Sequence, residues 1–281
     1  TRSEGGRGRG GDVAGRARRT GVTMQLKLPY FDMIFSRLAA GDPEFEEAFQ
    51  RHVHFGAWED LEHAYTDQPD SIRAMERLCL HLISLAEIWP DQDVLDVGCG
   101  FGGTLACLDE QFSPLRMTGL NIDSRQLEVA RRRVTASPGN TIDFVQGDAC
   151  EMAFPNESFD RVTAVECIFH FPSRREFFAH VGRVLRPGGN LTLTDFLQPE
   201  GTPDGLWDNQ DDALWGPQTA IDLQGYRELA AGAGLSLTHA ADITRNVRPT
   251  YYWFGNLLGR HFPEIRKVIE ESQFVVDAGG M

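Results

Sequence analysis

The stretch that most constrains this chain is Val94-Leu95-Asp96-Val97-Gly98-Cys99-Gly100-Phe101-Gly102-Gly103-Thr104. A short apolar run carries an acid, glycines then alternate, and a helical pattern begins at Thr104. That order suits a strand turning sharply into a helix. Glycines let a ligand lie against bare backbone and adopt angles closed to other residues. The helix amino end favours an anionic ligand group. Gly98, Gly100 and Gly103 also satisfy G-x-G-x-x-G, so the glycines alone do not separate a dinucleotide from another ligand.

The pattern around this turn alternates. Residues 93–97, 117–122, 142–146, 161–165 and 191–195 read as strands. Residues 104–112, 124–134 and 174–185 read as helices, the last closed by Arg186-Pro187-Gly188-Gly189. Strand-helix alternation predicts an α/β fold, a parallel sheet with helices on both faces. Upstream, residues 26–90 read as a helical cap, with Ser71 capping one helix. Residues 199–225 are polar and loop-like but carry Trp207 and Trp215. A helix over 226–233, a strand over 235–243 and a helix over 250–276 are expected after it.

These readings divide the chain into a leader (1–23), a helical cap and lid (24–90), a Rossmann-like core (91–198), a substrate-side insertion (199–225) and a C-terminal part of core and pocket (226–281). The leader is rich in Gly and Arg and cannot offset its ordering entropy by burial, so it is expected to be disordered, with Met24 a natural start. The net charge of −14 argues against a general nucleic-acid binder. No apolar stretch of about 18 residues is present to span a membrane. Five scattered Cys with no C-x-x-C pair predict reduced thiols, a cytoplasmic setting and no metal site.

With Gly119-Leu120-Asn121-Ile122-Asp123 after the second strand, Gly147-Asp148-Ala149 after the third, the fourth-strand region 159–171 and Leu185-Arg186-Pro187-Gly188-Gly189 before the fifth, the chain resembles the class I S-adenosylmethionine-dependent methyltransferases. The motifs cover roughly residues 90–200 in the family's order. The resemblance implies a seven-stranded Rossmann-like sheet closed by an antiparallel strand, which is not evident after Phe274-Val275-Val276. By position, Gly98, Gly100 and Gly102 resemble the cofactor loop, and Asp96 the acid that supports it and the methionine amino group. Asn121, with Ile122 beside it, stands where the family usually has an acid for the ribose hydroxyls, and an amide can bond both. Gln126 is expected to reach the cofactor. Asp148 and Ala149 resemble the adenine contacts. His54-Phe55-Gly56-Ala57-Trp58 resembles a lid segment that closes over the cofactor and excludes water.

Methyl transfer needs two reactants in line, a dry site and removal of a proton from the acceptor. An oxygen acceptor calls for a base, usually His. An alkene carbon passes through a cation, which aromatic faces stabilise by about 0.5–2 kcal/mol each, before a carboxylate takes the proton. Natural-product O-methyltransferases often have two adjacent His where this chain has Phe169-His170. Glu166 with a single His170 is similar to sterol C-methyltransferases. Glu166 and His170 are therefore the candidate catalytic residues. Phe169, Trp207, Trp215, Tyr251, Tyr252 and Trp253 are the candidate walls of the acceptor pocket, and Arg245 and Arg248 could pair with a diphosphate. The reading leans to C-methylation of an isoprenoid-type alkene in specialised metabolism, with Mg²⁺ only if the substrate is a diphosphate. The alternative is O-methylation of a polyketide, phenol or sugar with His170 as base. A nicotinamide-dependent oxidoreductase would share the glycines but bind NAD rather than S-adenosylhomocysteine.

Overall fold

The computed structural model describes residues 28–59, 68–199, 201–202 and 221–262. Five strands form one parallel sheet: β1 (Gln92–Val97), β2 (Leu115–Asn121), β3 (Thr141–Gln146), β4 (Phe159–Ala164) and β5 (Leu185–Leu193). Their order is β3-β2-β1-β4-β5, so the winding reverses between β1 and β4. Val94–Val97 of β1 is buried throughout, as a central strand covered on both faces must be.

The helices are α1 (Pro29–Ala39), α2 (Pro43–Ala48), α3 (Gln68–Leu85), α4 (Gly103–Gln111), α5 (Ser124–Arg133), α6 (Arg174–Val184), α7 (Leu223–Gly232) and α8 (Thr244–His261). Local chemistry sets their starts. The Asp123 side chain accepts from Arg125 N at the head of α5, and Ser173 accepts from Glu176 N at the head of α6. Arg131, Arg132 and Arg133 complement the dipole at the end of α5.

One sheet face packs Leu95 and Val162 against Phe177 and Val181 of α6 and Tyr226 of α7. The other packs Val94 and Met117 against Leu78 and Leu82 of α3 and Leu105 and Leu108 of α4. A third cluster joins Ile34, Phe45 and Phe49 near α1 and α2 to Leu257 and Leu258 of α8, with Phe101 and Val129 beneath. The cap is thus completed by a helix from the other end of the chain.

Four local expectations are corrected. Residues 235–243 have no strand structure, and Leu237 is 38% exposed. An alternating pattern becomes a strand only beside a sheet edge, and among the described residues β5 pairs only with β4. The last helix begins at Thr244, not at 250, and carries Pro249 within it. Ser71 does not cap α3, which starts at Gln68 with a proline in its first turn, where the missing N–H is tolerated. The Arg-Pro-Gly-Gly turn lies inside β5 as a bulge, where pairing jumps from Phe159↔Leu185 to Arg161↔Asn190. The leader, Trp207, Trp215 and residues 263–281 lie outside the described residues.

The lid-like segment is tied to two helices, α3 and α8. Ala57 N donates to Ala74 O (2.8 Å) and Trp58 N to Asn246 O (2.9 Å). Gly56 N and Trp58 Nε1 both donate to Thr250 Oγ1, at 3.0 and 2.8 Å. A Cβ on Gly56 would stand 2.6 Å from Ala74 C, Ala74 Cβ and Met75 N. Gly56→Ala should therefore cost about 1–3 kcal/mol through overpacking. In urea unfolding this appears as a lower midpoint with an unchanged slope; an unchanged midpoint would show that α3 yields freely.

Candidate active site

The strand order reverses at the carboxyl ends of β1 and β4, where open α/β sheets form a crevice. Here it is a cavity of about 1020 Å³, counted out to its open mouth. Gly98 and Cys99 donate their N–H groups to Leu120 O (2.8 and 3.1 Å), which ties the turn to β2. Gly98 has φ +70°, and a Cβ there would stand 2.6 Å from Cys167 Cβ, so the position admits only glycine.

Asp96 lies at the floor and is 1% exposed. Its Oδ1 accepts from Thr163 Oγ1 at 2.7 Å, while Oδ2 is buried with no hydrogen-bond partner. Burial pushes its pKa up to about 7, and the Thr163 hydroxyl only partly offsets this. Asn121 Nδ2 donates to Gln126 Oε1 (3.2 Å), and Asn121 Oδ1 accepts from Asp123 N (2.9 Å). Ile122 and Ala149 lie on the wall, as does Asp148, whose Oδ1 accepts from Cys150 N at 2.7 Å. Gly100 and His54 also line the cavity. Gly102 does not; it caps α4 and packs against Val134 and Phe144, and Gly103 and Thr104 take its place.

A second chamber, of about 380 Å³, shares Tyr30, Val53, His54 and Glu166 with the first. Its other walls are Phe49, Phe55, Phe169, Trp253 and Phe254, so it is almost wholly aromatic. Glu166 sits at the junction with φ +51°, a conformation rare for a side-chain-bearing residue. Its N–H donates to Thr194 Oγ1 at 2.9 Å, and its Oε2 is buried without a hydrogen-bond partner. Burial pushes its pKa up to about 7, against the pull of Thr194 and His54 and with the help of Asp195. His170 lines the large cavity from a 3-10 turn, and its Nε2 is hydrogen bonded to the Tyr30 hydroxyl at 3.0 Å.

Arg245 and Arg248 line neither of the two cavities. They precede Trp253 by eight and five residues, which rotates them about 80° and 140° around α8 from the ring that faces the chamber. Tyr252, one residue from Trp253, is on neither wall. Tyr251 lies in α8, and its side chain, like Trp207 and Trp215, is outside the described residues. Tyr30, Phe49 and Phe55 were not expected from sequence. They come from the cap, and an apolar helical pattern reads there as packing alone.

The first cavity fits S-adenosylmethionine. Asp96 Oδ2 offers an unpaired acceptor for a cationic amino group, the glycine turn leaves room for the chain and sugar, and Asn121, Asp148 and Ala149 follow along the wall. Residues 95–193 match the family model described as a methyltransferase domain. An O-methyltransferase of Pyrenophora dematioidea is 32% identical over 199 residues, 70% of this chain and 73% of that one. The methyltransferase GfsG of Streptomyces halstedii is 33% identical over 210 residues, 72% of each chain. In fold, the chain is similar to geranyl diphosphate C-methyltransferase from Streptomyces coelicolor A3(2), with a TM-score of 0.65 at 19% identity over 87% of this chain and 92% of that one. The chain belongs to the class I S-adenosylmethionine-dependent methyltransferases.

Proposed function

We propose that this enzyme methylates a hydroxyl group of a hydrophobic small molecule of specialised metabolism, held in the aromatic chamber, with Glu166 taking the proton. One observation carries the reading: Glu166 presents a buried, unpartnered oxygen where the two cavities meet. S-adenosylmethionine, when bound, supplies an electrophilic methyl group. Asp96 would hold its amino group, Asn121 and Gln126 its ribose hydroxyls, and Asp148 and Ala149 its adenine. Phe49, Phe55, Phe169, Trp253 and Phe254 exclude water and grip an apolar acceptor. A carboxylate with a pKa of about 7 is matched to proton removal near neutrality. His170, held by Tyr30, orients the acceptor beside it.

The O-methyltransferase above supports oxygen; a sterol 24-C-methyltransferase of Gibberella zeae, also 32% identical but matched over 55% of its own length against 73%, supports carbon. The diphosphate form of the carbon reading, and Mg²⁺ with it, loses the support of Arg245 and Arg248. Methylation of an unphosphorylated alkene keeps one observation in its favour, the ring of aromatic faces beside a carboxylate. Five free cysteines fit a reduced, cytoplasmic setting. No helix among the described residues is long and apolar enough to cross a membrane.

The test is proton NMR of the product formed from methyl-labelled S-adenosylmethionine with a panel of phenolic, polyketide and isoprenoid acceptors. The expected product is a methyl ether. A methyl bound to carbon would overturn the oxygen assignment and restore the alkene reading.

A further inference from the structure

Behind the wall of the first cavity, three side chains converge from two segments. His52 Nδ1 lies 3.0 Å from His54 Nε2. Cys79 Sγ of α3 lies 3.7 Å from the first nitrogen and 3.3 Å from the second. His52 and Cys79 are buried and His54 is half-buried.

The outer contacts decide which atoms carry lone pairs. His52 Nε2 donates to the Glu76 carboxylate at 2.8 Å, so its Nδ1 is bare when the ring is neutral. His54 Nδ1 donates to Phe55 O at 2.6 Å, and a carbonyl can only accept, so Nε2 of a neutral His54 is bare as well. Two lone pairs then face each other at hydrogen-bond distance beside a thiol. Something positive belongs between them, a proton or a metal ion.

We propose that His52 Nδ1, His54 Nε2 and Cys79 Sγ bind a zinc ion. Zinc bonds of about 2.0–2.1 Å to nitrogen and about 2.3 Å to sulfur space tetrahedral donors by about 3.3–3.6 Å. The observed separations of 3.0, 3.3 and 3.7 Å bracket that range. Two imidazoles and a thiolate are the donor set zinc favours. Each histidine already has the outer partner that metal-bound histidines use, a carboxylate for one and a carbonyl for the other. Arg51 and Cys107 both donate to Glu76, which holds that carboxylate in place. Binding forms a zinc–sulfur and two zinc–nitrogen bonds, and the Cys79 thiol proton leaves to solvent. His52, His54 and Thr104 line the cavity, so water can supply a fourth ligand. The ion would pin residues 52–54 to α3 and so fix the roof of the cofactor cavity.

The rival is a proton alone. Burial opposes a charged His52, but Cys79 and Glu76 push its pKa up to about 9. The two are separated by loading the full-length protein with Zn²⁺, desalting it and measuring bound metal, with Co²⁺ as an optical probe. One ion per chain is expected, with a thiolate-to-cobalt charge-transfer band. Cys79→Ser and His54→Gln should each weaken retention by more than tenfold and lose the band, while Cys150→Ser keeps both. Cys150 is remote from the cluster and donates to Ser173 O. The second variant matters because His54 is only half-buried and its replacement need not disturb α3. Wild-type protein that retains no zinc, or variants that retain it unchanged, would refute the site. Calorimetry with S-adenosylhomocysteine on the metal-free protein keeps the two questions apart. Cofactor binding without zinc retention sinks the metal site alone, and loss of cofactor binding would count against the assigned cofactor cavity instead.

Discussion

Glu166→Gln should lower kcat by about 10²- to 10⁴-fold, the usual worth of a general base, with KM little changed. The amide keeps the shape and still fills the junction between the cavities. It can no longer accept a proton. The native carboxyl is close to half ionised at neutral pH because burial has pushed its pKa up to about 7. Its Oε2 has no protein partner to satisfy, so the loss is not the breakage of a structural hydrogen bond. If His170 were the base, the same substitution would leave turnover near normal. Steady-state kinetics on the acceptor found by product analysis separates the two.

Asp96→Asn should weaken S-adenosylhomocysteine binding by about 10- to 100-fold, the value of one buried hydrogen bond to a charged group. The wild-type affinity should also rise with pH through about 7, because the carboxyl must ionise before it can hold an ammonium group. The sign follows from the raised pKa: below it the carboxyl is neutral and offers the ligand no charge. Measurement up to about pH 7 stays below the midpoint of the ligand's own amino group, about 7.7–8.0 for an α-amine. The Asn variant should show no such rise. Calorimetry that finds equal affinity in both proteins would place the amino group elsewhere.

The parallel sheet was legible because an acid, alternating glycines and a helix start leave few folds open, and each later strand carried its own turn. Asp96, Asn121, Gln126, Asp148 and Glu166 all line the large cavity. Residues 235–243 were misread because alternation records which side chains could share a face and says nothing of whether a neighbouring strand exists. Arg245 and Arg248 line neither cavity, because nearness in sequence to Trp253 does not fix a residue's rotation about α8. The chamber's cap side was invisible. Tyr30 meets His170 across 140 residues, and nothing local marks such a contact. The His52, His54 and Cys79 cluster was hidden in the same way, since its spacing matches no compact metal motif and only the packing of α3 brings the thiol to the imidazoles.

The central claim is that a carboxyl at the junction of the two cavities takes the acceptor's proton. It is tested most directly by the pH dependence of the single-turnover rate, in wild type and in Glu166→Gln at saturating cofactor. A rate that rises tenfold per pH unit below about 7, levels above it, and loses that limb in the Gln variant is the predicted result. The same limb persisting undiminished in Glu166→Gln would contradict the account and assign the proton to another group, with His170 the first to examine.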